Sequence, residues 1–359
     1  MNAQTLKKVL SEATKACKSP VPTMNDVKFE FGWNALRITS SSPELTVRYT
    51  LTGGLFLDSG TFLIDPKKLV AIIGKGKNID FTSDNNVLSA LVDNVNYSLQ
   101  SEYSVDDYKE FHEIEDTRFF SPIDTKELDK AMAICAYAMG DSNRFNLDTM
   151  NVDVLTNNCW YYVSTDGHRM ETYSTSPVNI HQETVHKNFM LPGNAVNFIV
   201  KSKLFKRPTT ELSETNNLFM FHNAEHGITR ELFCRKPQGE YPNFRRVIPD
   251  MEPKSAHIAN TKELASAINA LIPLTDKRDR AINISANGSI ELSRKGTSIS
   301  VHCHNSNGES DFIINAQFLQ DMLSKWDSNN ITLQAHNGSR NVFLHEDNQR
   351  MSLIMGMRK

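Results

Sequence analysis

Between Ser164 and Met170 the chain reads STDGHRM, which crowds an acid, an imidazole and a guanidinium into one short run. Asp166 and His168 are the usual partners of general acid–base chemistry, so a hydrolytic centre is the first use their types suggest. Their spacing argues against it, because residues two apart on a strand share a face without necessarily touching. No Ser or Cys stands in a nucleophile-elbow context, and no Walker-type glycine loop is present. The run GKGK from Gly74 to Lys77 is too short to cradle phosphate and reads as a helix end. VHCHN puts His302 and His304 on one strand face and Cys303 on the other, without a second ligand pair at zinc spacing. Neither catalysis, nor a metal, nor a cofactor is expected.

The surrounding elements repeat. At 359 residues the chain exceeds one ordinary core, and two or three domains are expected. Leu6, Val9, Leu10, Ala13 and Cys17 follow helical spacing. Alternating stretches then lead to Asp65 as an N-cap, Pro66 in a first helical turn, and more strands. The order helix, strands, helix, strands recurs from Asp124 and again from Thr261. Domains are expected over residues 1–118, 119–252 and 253–359, with EFHEIEDTRF and VIPDMEPKSAH at the joints.

Hydrophobic residues make up 39% and charged residues 23%, as in globular proteins, and no run approaches the ~20 apolar residues of a membrane span. The N-terminal stretch lacks a signal-peptide core, so a cytoplasmic protein is expected. Five cysteines without a CxxC pair point to reduced, mostly buried thiols.

The net charge of −3 conceals a segregation. Six helical segments are expected at 5–18, 65–77, 124–137, 191–207, 261–280 and 315–326. Together they hold 19 basic and 9 acidic residues, which leaves strands and loops acidic. Lys8, Lys15, Lys18, Lys67, Lys68, Lys201 and Lys203 lie off the apolar faces, and Lys75, Lys77, Lys206 and Arg207 flank them. Such a surface attracts a polyanion through counterion release without reading sequence. On any one helix the same lysines could be a merely solvated face; their recurrence favours nucleic acid.

VSTDGHRM, followed by GEYPNFRRVIP and the terminal SLIMGMRK, resembles the bacterial DNA polymerase III beta subunits, the sliding clamps, in order and spacing. Identity outside these motifs is low, as for a divergent bacterial or bacteriophage member acting in a bacterial cytoplasm. The resemblance implies an α+β fold of three pseudo-repeated clamp domains, helices on the inner face and antiparallel sheets outside. It implies a head-to-tail homodimeric ring around double-stranded DNA, bound without sequence specificity. It further implies a processivity factor, not an enzyme, which holds DNA polymerase and clamp loader through short linear motifs. The receiving cleft would comprise Leu147, Thr165, Gly167, His168, Arg169 and Met170. Pro242, Arg246 and Val247 would form a second wall, and Met355, Met357 and Arg358 a third. Methionines adapt to varied apolar anchors. Gly356 and Lys359 depart from the family, which commonly has Pro and a terminal Leu there; a more flexible tail is expected. Two other readings are a protein scaffold without DNA and a hydrolase using Asp166 and His168.

Overall fold

The computed structural model describes residues 1–15, 22–32, 34–53, 58–84, 87–111, 118–141, 144–206, 208–346 and 349–358. Cys17, Lys18, Arg207 and Lys359 lie outside the described residues.

The chain passes three times through one series of elements. The first round is α1 (Ala3–Ala13), β1 (Val27–Gly32), β2 (Ala35–Ser41), β3 (Leu45–Thr52), β4 (Gly60–Ile64), α2 (Pro66–Ile73), β5 (Ile79–Asp84), β6 (Val87–Val92) and β7 (Val95–Gln100). The second is β8 (Arg118–Asp124), α3 (Thr125–Cys135), β9 (Thr149–Leu155), β10 (Trp160–Thr165), β11 (Arg169–Ser174), β12 (Val185–Pro192), α4 (Gly193–Ser202), β13 (Thr209–Glu214), β14 (Leu218–Glu225) and β15 (Ile228–Arg235). The third is β16 (Ser255–Asn260), α5 (Thr261–Leu271), β17 (Ala281–Asn287), β18 (Ser289–Arg294), β19 (Thr297–Asn307), β20 (Ser310–Asn315), α6 (Ala316–Leu323), β21 (Asn330–Ala335), β22 (Val342–Glu346) and β23 (Arg350–Ile354). The first round lacks the leading strand, and in its place Asn2 makes a single antiparallel bridge to Asn78. This corresponds to the β8–β13 and β16–β21 pairings of the later rounds.

Five of the six α-helices among the described residues start the same way. An Asx residue at the end of the preceding strand or bridge turns its side-chain oxygen onto the first free amides. Asn2 accepts from Thr5 N at 2.9 Å, Asp65 from Lys67 N at 2.8 Å and Asp124 from Lys126 N at 2.8 Å. Asn260 and Asn315 cap α5 and α6 likewise. The helices end sooner than the apolar spacing suggests. Within their observed bounds lie eight basic and five acidic residues. Much of the excess positive charge, including Lys15, Lys75, Lys77, Lys203 and Lys206, follows the last turn instead. Cations there complement the negative end of the helix dipole.

The described residues form two compact units, 1–129 with 194–236, and 130–193 with 237–359. Strand pairing explains why these are not the three segments expected from sequence. In the first unit an eight-stranded sheet runs β4-β1-β2-β3-β15-β14-β13-β8, beside a three-stranded sheet β5-β6-β7. In the second, twelve strands run β12-β9-β10-β11-β23-β22-β21-β16-β19-β18-β17-β20. Every strand pairing among the described residues is antiparallel, and the middle round gives half its strands to each unit through β3–β15 and β11–β23.

In the first unit α1 buries Leu6, Val9 and Leu10, and Lys7 Nζ donates to Gly74 O at the end of α2 at 2.6 Å. Phe29 and Phe81 meet edge to face at 4.9 Å. In the second unit α5 and α6 bury Leu264, Ile268, Leu319 and Met322 against Ile284, Leu292 and Leu333. A separate cluster of Tyr161, Val163, Met170, Phe244, Phe343 and Leu353 forms a floor beneath the β10–β11 turn. Cys135, Cys159, Cys234 and Cys303 are free and buried. No helix among the described residues is long and apolar enough to cross a membrane.

Candidate functional site

The STDGHRM run is the tight turn from β10 into β11, and its polar atoms are spent on the turn itself. Asp166 Oδ1 accepts from His168 N and Arg169 N, both at 2.9 Å, while Oδ2 takes Arg169 Nε at 2.9 Å. Thr165 Oγ1 donates to Arg169 O at 2.6 Å and accepts from Gly167 N at 3.0 Å. Gly167 has φ +87°, a left-handed conformation that a side chain would strain. No hydrogen bond joins Asp166 to the His168 ring, which stacks on Phe318 of α6 at 6.2 Å. The acid–base dyad suggested by residue type is therefore not assembled.

Arg169 is equally committed. Its guanidinium reaches Asp321 Oδ2 at 2.7 Å and Tyr137 O at 3.2 Å, and lies over the rings of Phe318 and Tyr137. Two residues on, Glu171 is wholly buried. Arg350 Nε donates to it at 2.8 Å, Ser352 Oγ at 2.7 Å, and Tyr137 Oη also donates to it. Burial pushes its carboxyl above the usual carboxylate range, and the Arg350 guanidinium opposes that rise. For Arg350 burial is the largest single influence and acts downward, yet the charge and hydrogen bond of Glu171, with Tyr137 and Glu346, together outweigh it and raise the guanidinium. This network fastens β11 to β23, and removing one partner of such a buried pair costs about 3–5 kcal/mol.

Above these strands opens a cavity of about 620 Å³. Its walls include Leu147, Thr165, Gly167, His168, Arg169, Met170, Pro242, Val247 and Met355, nine of the twelve cleft residues expected from sequence; Pro242 itself is among those nine. Phe145 is 64%, Val247 47% and Met355 46% exposed, so three large apolar side chains stand in solvent around one concavity. Phe145 and Asn146 both have left-handed backbone, at φ 58° and 59°, and Asn146 Nδ2 holds the loop by donating to Glu240 O at 3.0 Å.

Three expected residues fall elsewhere. Arg246 is exposed beside the cleft without lining it, while its neighbour Arg245 turns inward to an ion pair with the buried Asp153. Met357 and Arg358 line an adjoining cavity. Met355 N donates to His168 O at 2.9 Å and Met357 N to Ile313 O at 2.7 Å, so the tail is pinned on both sides of Gly356. A Cβ on Gly356 would come within 2.1 Å of Arg340 O. Glycine here allows a close approach, and the tail is packed where sequence suggested flexibility. Sequence reasoning missed Phe145, Glu240, Tyr241, Asn243, Phe244, Asn341 and Leu353 on the cleft walls. Tyr241, Asn243 and Phe244 sit inside the GEYPNFRRVIP motif and were within reach of that signal; Asn341 carries none.

Lysines of the first unit gather around α1 and α4. Lys8, Lys15, Lys67, Lys201 and Lys203 are exposed, and Lys15 Nζ reaches Lys201 O at 3.5 Å. Lys206 is lowered by burial foremost, and Lys8 and Arg230 add to the effect. Lys68 differs: its ammonium pairs with Glu102 at 2.5 Å. On β19, His302 and His304 are exposed and Cys303 is buried, and no group of three or more His, Cys, Asp or Glu among the described residues could hold a metal.

No family model matches the chain, and no curated protein does. Solved structures match it end to end. The beta subunit of DNA polymerase from Streptococcus pyogenes aligns with TM-score 0.87 at 17% identity, over 100% of this chain and 99% of that one. A DNA polymerase sliding clamp from Pseudomonas aeruginosa gives 0.86 at 16%, over 100% and 99%. DNA polymerase III subunit beta from Borrelia burgdorferi gives 0.83 at 18%, over 100% and 98%. Across its whole length the chain has the fold of the DNA polymerase III beta subunits, the sliding clamps.

Proposed function

We propose that this chain is a DNA sliding clamp: a non-enzymatic processivity factor that encircles duplex DNA and tethers a polymerase through a peptide-binding cleft. The observation that carries the reading is agreement in fold over the entire chain with solved clamps. The exposed apolar side chains around the Asp166–Arg169 turn suit capture of a short linear peptide from a polymerase or clamp loader. Lys8, Lys15, Lys67, Lys201 and Lys203 suit loose, sequence-independent contact with phosphates. Tethering turns repeated polymerase capture into an intramolecular event, so modest cleft affinity suffices.

The pairing rule supports ring closure by two copies. The third strand of one round takes the last strand of the next as β3–β15, and its counterpart as β11–β23. The corresponding strands left over are β19 and β7. Among the described residues β7 is an edge strand of six residues, and Thr297–His302 of β19 has only β18 beside it. Head-to-tail pairing of these edges closes a three-round chain into a homodimer. The three domains are then 1–118, 119–252 and 253–359, each one round.

The test is retention on DNA. Loaded on a nicked circular plasmid, the protein is expected to stay bound through a high-salt wash and to be lost once the circle is linearised. Equal retention on circle and line would sink topological encirclement.

A further inference from the structure

We infer that the connection between the second and third rounds carries an acid-sensitive latch. His181, His336 and His345 gather around residues 248–251 and release that segment when they take up protons. The inference stands whatever the cleft binds. A cavity of about 490 Å³ in the second unit is walled by Val178, Ile180, His181, Ile248, Pro249 and His345, among others. It shares no lining residue with the apolar cleft, although Val247 lines the one and Ile248 the other. His336, at the turn after β21, is close enough to His345 for its charge to act on that ring. The His336 ring meets Phe343 edge to face at 5.0 Å and bonds the main chain of Met251. Lys254 N donates to Ala335 O at 2.7 Å, so the far end of the connection is tied to the residue before His336.

These imidazoles sit where an added charge finds no compensation. The His345 side chain makes no hydrogen bond or ion pair among the described residues, and His181 Nε2 and His336 Nδ1 are buried without a partner. Across the sheet His345 faces Thr332 on β21 and Met351 on β23, neither of which titrates. No carboxylate lines the cavity among the described residues, and burial keeps the Tyr161 phenol protonated. Arg350, its one guanidinium, is already held by Glu171 and Glu346. Burial first, then the neighbouring His336 charge, pushes His345 down to about 4. Burial lowers His336 as well, against the opposing pull of the Met251 main chain and of Glu252. Asp250 and Glu252 on the same connection are exposed, and no carboxylate is among the influences on His345. Once the segment lifts and water enters, the His345 ring returns to its ordinary value of 6.5. The closed form is therefore fully favoured above about 6.5 and loses ground as pH falls toward about 4.

The experiment follows hydrogen exchange of the full chain by mass spectrometry between about pH 7.5 and about 4.5, corrected for the intrinsic pH dependence of amide exchange. In the wild type, protection of the stretch holding the Ile248 and Lys254 amides is expected to fall about tenfold per pH unit below about 6, while β9 and β10 keep theirs. The His345→Gln variant cannot take the proton and is expected to keep that stretch protected across the range. His345→Phe serves the same comparison if the Gln variant does not fold. His257, a further imidazole lowered by burial, stays in every protein compared, so a general loss of stability in acid appears equally in all of them. An equal fall in the wild type and the variant overturns the latch. So does a wild type whose connection stays protected until β9 and β10 open with it.

Discussion

Asp166 accepts two main-chain amides and the Arg169 Nε and makes no hydrogen bond to the His168 ring, which turns to Phe318 instead. The sequence displays the acid, the glycine and the two bases, but the side-chain direction that decides their use depends on turn geometry. Gly356 makes the same point in reverse. From sequence it implies a loose tail, because glycine widens the conformations open to a chain. In the fold its missing Cβ lets the tail lie on Arg340, with Gly356 N 3.4 Å from Asn341 Oδ1. Gly356→Ala is therefore expected to force the tail off that backbone, at a cost of about 1–3 kcal/mol for overpacking. Thermal unfolding should show the destabilisation, and peptide affinity should fall because Met355 moves with the tail. An alanine variant as stable and as tight-binding as the wild type would mean that the wall is not held there.

At the level of elements, the helix starts were legible and the helix ends were not. An Asx residue ahead of an apolar face is a local signal with a local cause, and it fixes five starts. Ends depend on where the next loop finds its partners, so lysines assigned to helices stand just beyond them. The shift matters for charge, because a lysine after the last turn reaches further than one on a packed helix face. Lys68 is also occupied by Glu102, an exposed pair of little worth for stability. That leaves Lys8, Lys15, Lys67, Lys201 and Lys203, of which four lie on or just after α1 and α4: Lys8, Lys15, Lys201 and Lys203. Replacing these four by Gln is expected to weaken DNA binding and to lower the log–log salt slope by up to about 3–4, at roughly 0.9 for each phosphate no longer neutralised. Binding titrations on a duplex from about 50 to 200 mM salt read this directly, with cleft-peptide affinity as the control. An unchanged slope would place the DNA path elsewhere.

For the whole molecule, the threefold order of elements could be read from hydrophobic periodicity, whereas the pairing of strands between rounds could not. A strand shows its own alternation but not which edge it will meet. Residue identity between rounds is too low to reveal that β3 and β11 occupy one structural place. Once the pairings are known they make a strong demand on β7 and on the first half of β19. An unpaired, exposed edge invites association, and β7 is exposed along most of its length, with Val95 53% exposed. β7 offers six residues and β19 six, enough for a ladder between two copies as long as those inside the chain. Successive amides of a strand point to opposite edges, so of Ser98→Pro and Leu99→Pro one removes a donor from the β6 ladder and the other from the free edge. Val92 and Val95 flank the two-residue turn as a hydrogen-bonded pair, so by alternation Leu99 bonds β6 and the Ser98 amide points to the free edge. Leu99→Pro is expected to unfold more easily, and Ser98→Pro to remain folded but to run as a monomer in light scattering where the wild type is expected to run as a dimer. A wild type that is monomeric at micromolar concentration, or a folded dimer from both variants, would remove the β7–β19 seam and with it the closed ring.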